Sequence, residues 1–348
     1  MFPCTARGPL SSAVIHALQR PAGSPAPELA SAARRALASG ADLVEDEDVQ
    51  LALYLMYELH YGGLPVDERW EWSGELLGAR AILEDGLEQH LRRALSPEGP
   101  QPQPEDVPAT LFAMAAPGPA AGSVASFVAR QASREQVSEL LVLRSVSQLK
   151  EADPHTWAIP RLRGRAKAAL VEIQADEYGG GRLDRMHSAL FARCMRALGL
   201  CDEPNHYLDR VPATFLASVN VVSMFALHAR LRGALCGHLA AVEMTSSLPS
   251  RRFVTGLQRL GLGVGATEYF DEHVEADAVH EQVAAHDLCG GLLEQEPALL
   301  GDVLLGARVA LELDARTGAL VMRSWNADVS ALRVPVPRDE LVVAGGGT

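Results

Sequence analysis

Residues 266–280 read ATEYFDEHVEADAVH, with His273, Asp277 and His280 at positions i, i+4 and i+7. In a helix of 3.6 residues per turn, that spacing brings all three side chains to one face. Two imidazoles and a carboxylate on one stripe suit iron or manganese better than a thiolate-seeking ion. The same pattern also occurs on solvated helix faces, so its partners elsewhere in the chain decide the reading.

Around this stripe the chain is patterned for helices. Apolar residues recur at helical spacing over 27–95, 134–150, 165–178, 183–198, 213–245, 250–260, 266–286 and 301–313. Strand-like alternation is confined to a short pair over 319–325. The acidic run 45–48 precedes an apolar stretch, as expected at a helix N-terminus. Residues 97–108, PEGPQPQPEDVP, hold five prolines and read as a linker. The expected fold class is all-α. Its organisation is an N-terminal arm over 1–26, a helical extension and linker over 27–108, a helical bundle over 109–330 and a tail over 331–348.

The 348 residues carry a net charge of −13, which argues against a nucleic-acid or anionic-membrane partner. The five cysteines form no CxxC pair, so a disulfide framework or zinc ribbon is not expected and a reducing cytoplasm fits. No apolar run reaches the ~18 residues of a membrane span, and the N-terminus lacks the order of a signal peptide.

A dinuclear site in a helical bundle draws carboxylates and histidines from several helices. Glu243 stands among Ala240, Ala241, Val242 and Met244, where a carboxylate is costly unless paired or metal-bound. A helix-end salt bridge is the alternative. Glu172 and Glu177 lie in VEIQADEYGGG, and His187 follows in LDRMHSAL. Glu151, Asp153 and His155 lie in EADPH, which is also a plain turn signal. Arg161, Arg163 and Arg165 offer an anchor for a substrate carboxylate, or a solvated basic face.

In this order, EADPH, VEIQADEYGGG, His187, Glu243 and the His273/Asp277/His280 stripe resemble the haem-oxygenase-like di-iron oxidases and oxygenases. The resemblance covers residues 109–330. It implies a haem-oxygenase-like helical bundle with an N-terminal helical extension. It also implies metal ligands at Glu151, His187, Glu243, His273, Asp277 and His280. An extra carboxylate upstream of the second-helix histidine marks the family's N-oxygenases, and Glu177 matches that position, with Glu172 second. Glu177 and His187 are ten residues apart, which is not a whole number of turns. For both to reach one site, the helix must be distorted at Gly179, Gly180 and Gly181.

The resemblance implies two Fe(II)/Fe(III) ions, O2 as co-substrate, an external reductant and a small-molecule amine or amino-acid substrate that becomes a hydroxylamine or a more oxidised product. It also implies a homodimer through the N-terminal helices. Oxidative desaturation or C–C cleavage of an amino or fatty acid is the alternative on the same scaffold. A non-enzymatic helical interaction protein is the alternative outside it. A haem-binding oxygenase would not need this carboxylate set.

Overall fold

The computed structural model describes residues 2–97, 99–116 and 123–335; at 275–278 the helical backbone is described and the side chains are not. Among the described residues the secondary structure is entirely helical. The N-terminal layer consists of α1 (Pro9–Leu18), α2 (Glu28–Leu37), α3 (Glu47–Glu58) and α4 (Gly74–Ala94). Asp46 caps α3 by accepting from the Asp48 and Val49 amides. Asp48 caps α1 across space, accepting from the amides of Leu10 and Ser11 at 2.8 and 2.6 Å. Each carboxylate satisfies amides that a helix start leaves unpaired. Leu10, Val14, Ala17 and Leu18 are buried, so residues 9–18 are a packed helix rather than part of a loose arm.

The Pro-rich stretch leads into α5 (Val107–Ala115), with Pro108 in its first turn, where a missing N–H leaves no bond unmade. Then come α6 (Val124–Arg130), α7 (Arg134–Gln148), the single turn α8 (Asp153–Thr156), α9 (Gly164–Glu177) and α10 (His187–Ala197). The remaining bundle is α11 (Ala213–Leu227), α12 (Arg232–Arg259), α13 (Val264–Gln282), a π-helical segment Val283–Gly290, α14 (Gly291–Gln295) and α15 (Leu300–Asn326).

Three sequence expectations are corrected here. The helix expected over 213–245 breaks after Leu227. Arg161 caps that break by donating to the carbonyls of Ala226 and Leu227, which removes Arg161 as a substrate anchor. Arg165 likewise pairs with Glu294. Beyond the break α12 runs unbroken through Pro249, because Ser250, Phe253 and Leu257 continue its buried face. The strand pair expected over 319–325 is the end of α15, where Val321 and Trp325 are buried at helical i, i+4 spacing.

α12 packs along α13, α15 and α6, and α3 packs on α11. The crossing of α12 and α15 is close: a Cβ at Gly237 would collide with the Val303 backbone, and one at Gly306 with the Ala234 backbone. Among the described residues no single helix is long and apolar enough to cross a membrane. The apolar α11 meets the following helix at a 107° bend, and most of its residues are buried. Beyond α15, Glu139 accepts from the Trp325 indole and the Ala331 amide and ties down the start of the tail; residues 336–348 lie outside the described residues.

Candidate metal centre

Six of the seven ligands expected from the sequence converge in two groups. Glu151, His187 and His273 form one, and Glu177, Glu243 and His280 the other; in each, the donor atoms lie within 4.8 Å of one another. The seventh, Asp277, has its side chain outside the described residues. Glu172 is exposed on α9 and belongs to neither group.

The contributing elements are as the ligand order requires, with two differences. Glu151 lies in the turn after α7 rather than on a helix. That turn is braced from α9: the Gln174 amide donates to the Ala152 carbonyl at 3.0 Å, and the Tyr178 hydroxyl to Asp153 at 2.7 Å. The second difference is the break between Glu177 and His187. α9 ends at Glu177, α10 begins at His187, and Gly179, Gly180 and Gly181 between them have φ of 63°, 60° and 79°. Only glycine adopts that left-handed region in succession at low cost. The break brings Glu177 Oε2 within 3.0 Å of His187 Nδ1. Glu177 therefore belongs to one group and touches the other.

α12 supplies Glu243, and α13 supplies the two histidines seven residues apart, one to each group. Their tautomers are set by hydrogen bonds away from the centre. His273 Nδ1 donates to the Tyr269 carbonyl at 2.7 Å, which leaves Nε2 toward Glu151 at 3.6 Å. His280 Nε2 meets Asp176 Oδ2 at 3.0 Å, which leaves Nδ1 toward Glu243 at 3.4 Å. Such outer hydrogen bonds are what orient metal-binding imidazoles. The Tyr269 hydroxyl donates to Glu151, 2.8 and 3.0 Å from its two oxygens.

The charges are crowded. Burial pushes the Glu151 carboxyl up, but His273, His187 and the Tyr269 hydroxyl outweigh it and hold the group below the usual range. Burial, helped by the charge of Glu177, pushes Glu243 up despite His280. Burial works against protonated His280, yet Glu243, Asp176 and Glu177 lift it to about 9. His187 is likewise raised, with Glu177 outweighing burial.

Oxygen and imidazole donors of this kind fit iron. Nε2 of His187 is buried without a hydrogen-bond partner. An unpaired buried nitrogen is costly, and a bound cation satisfies it. A second buried pair, His155 and His238, with ring centroids 5.6 Å apart, stands outside both groups. Burial pushes these two down to about 4 and about 3, so both are neutral.

Sequence reading missed Tyr269 and Asp176. Tyr269 stands at i−4 to His273 on the same helix face, a signal the sequence does carry. Asp176 precedes Glu177, and nothing in the sequence distinguishes it from a solvated acid.

A nitrosourea synthase from Streptomyces achromogenes subsp. streptozoticus is 26% identical to the chain over 187 residues. The match covers 52% of this chain and 40% of that protein, so the chain spans less than half of its relative's length. The model of the iron-containing redox enzyme family matches residues 138–315, which span both groups of donors. By that match the chain belongs to the iron-containing redox enzymes and is an oxidoreductase of all-α fold.

Proposed function

We propose that this chain is a non-haem di-iron, O2-dependent N-oxygenase acting on an amine or amino acid, with a hydroxylamine as the first product. The observation that carries the proposal is the position of Glu177, grouped with Glu243 and His280 and 3.0 Å from His187. A carboxylate there lies within reach of donors from both groups. The relative named for making a nitrosourea, a compound with an oxidised nitrogen, supports the same class of chemistry.

Glu151, His187 and His273 would hold one ion, and Glu177, Glu243 and His280 the other. When bound, the two irons would supply electrons and open positions for O2. The chain's own part is preparatory. Three buried or half-buried carboxylates bring negative charge that offsets the cations. Hydrogen bonds to the Tyr269 carbonyl and Asp176 fix which imidazole nitrogen faces inward. Phe191 packs edge-on against Tyr269 at 5.1 Å. Two-electron oxidation of an amine by O2 would also call for an external reductant.

The test is product analysis after anaerobic Fe(II) loading, with candidate amines, reductant and labelled O2. An N-oxidised product carrying the label is expected. Loss of a carbon fragment with no N-oxidised product would overturn the proposal in favour of oxidative cleavage. Glu177→Ala should lower N-oxygenation at least ~10-fold, in line with loss of a metal-site carboxylate. A variant with wild-type turnover would reduce Glu177 to a turn residue.

A further inference from the structure

We propose that Tyr269 is the positioning residue of the Glu151/His187/His273 group, holding two of its three donors in place before any metal arrives. The inference rests on the metal-centre reading above and deepens it. Its basis is that one residue makes three separate contacts within the group. The hydroxyl donates to Glu151, within 3.0 Å of both oxygens. The carbonyl accepts from His273 Nδ1 at 2.7 Å. The ring packs on the His273 imidazole, with centroids 4.5 Å apart.

Glu151 needs such a holder because it lies in a turn, where its backbone restrains the side chain less than a helix would. A carboxylate free to rotate gives up orientational freedom when it binds a cation, whereas one already fixed does not. Tyr269 is itself fixed. It is buried, with Phe191 and Phe270 packed edge-on at 5.1 and 5.0 Å. The other group is held differently. Asp176, largely exposed on α9, meets His280 and makes no hydrogen bond to the first group. The two halves of the centre therefore have separate supports and can be weakened separately.

Tyr269→Phe keeps the ring and the carbonyl and removes only the hydroxyl. The probe is Mn(II), titrated anaerobically and followed by binding stoichiometry and by electron paramagnetic resonance. Wild type should take up two ions with a spin-coupled signal. The variant should keep one ion at wild-type affinity, lose about 10–100-fold for the other, and show an uncoupled six-line signal at one equivalent. Asp176→Asn should leave the Glu151-side step unchanged. In a Glu151→Gln background, Tyr269→Phe should add almost nothing, since the two act through one contact. Unchanged uptake of both ions by Tyr269→Phe, or equal weakening of both, would overturn the proposal. If wild type itself takes up no Mn(II) or Fe(II), the metal-centre reading fails first.

Discussion

His280 faces two carboxylates, Asp176 at 3.0 Å and Glu243 at 3.4 Å, and in the metal-free protein it holds a proton to about pH 9. A cation has to displace that proton, because an imidazolium has no lone pair to offer. Between an ordinary histidine pKa of ~6.5 and about 9, metal affinity should therefore rise by about tenfold per pH unit. Proton release on anaerobic metal addition, measured in weakly buffered solution, checks this. The sign for stability is opposite. A raised imidazole stabilises the metal-free fold fully below ~6.5, and that contribution is lost as pH rises through about 9. Glu243 extends the argument, since burial and Glu177 already push its carboxyl up. Glu243→Ala should abolish uptake of the ion on the Glu177/Glu243/His280 side, and activity with it, while the metal-free melting temperature stays equal or rises. Gross unfolding would contradict that. In the sequence, Glu243 stands out by its apolar neighbours and His273 and His280 by their spacing, whereas Glu151, Glu177 and His187 are singled out by the family resemblance. Their division into two groups is not legible, because it depends on where the break between α9 and α10 puts Glu177.

The break between α9 and α10 carries the element-scale argument. The ten-residue spacing of Glu177 and His187 demanded a distortion, and the three glycines in the sequence located it. The sequence did not separate their roles. At Gly179 (φ 63°) an added Cβ would lie 2.5 Å from the Arg185 carbonyl carbon and 2.6 Å from the Met186 amide nitrogen, one residue from His187. Around Gly180 (φ 60°) there is open space. Gly180→Ala should thus cost only the left-handed penalty, about 1–2 kcal/mol, and keep its metal. Gly179→Ala adds a backbone collision and should cost more, shifting His187 off Glu177. Metal content beside thermal melts for the two variants separates the effects: equal metal loss would mean that the collision at Gly179 is not what matters. The same scale shows where periodicity misled. In 319–325, alternation and i, i+4 spacing coexist, and the buried Val321 and Trp325 decide for the helix.

At the scale of the whole molecule, the N-terminal layer is tied to the turn that carries Glu151. Glu58, at the end of α3, forms a buried ion pair with Lys150, the residue before Glu151. The Asn205 amide donates to Glu58 and to the Gly63 carbonyl, and Asn205 accepts from the Tyr54 hydroxyl at 2.6 Å. Lys150 also lies over the rings of Tyr54 and Tyr61, 4.8 and 4.7 Å from their centroids. Lys150 carries no signal in the sequence, because its partner Glu58 is 92 residues away. Burial pushes the Lys150 ammonium down to about 7, so without Glu58 it must lose its proton or stay buried and unpaired. Breaking such a pair costs about 3–5 kcal/mol. Glu58→Ala should therefore melt well below wild type at pH 7 and bind less metal, through displacement of the Glu151 turn. The pH sign follows from the depressed lysine. Between about 7 and its unfolded value near ~10.4, the unfolded chain binds more protons, so stability rises with pH. Without Glu58 the buried ammonium is disfavoured still more, so the deficit of Glu58→Ala should shrink as pH rises from about 6 to about 8, where the wild-type lysine loses its proton, and stay level above that. A variant with wild-type melting and full metal content at both pH values would show that the N-terminal layer merely covers the bundle and leaves the metal-bearing turn unsupported from that side.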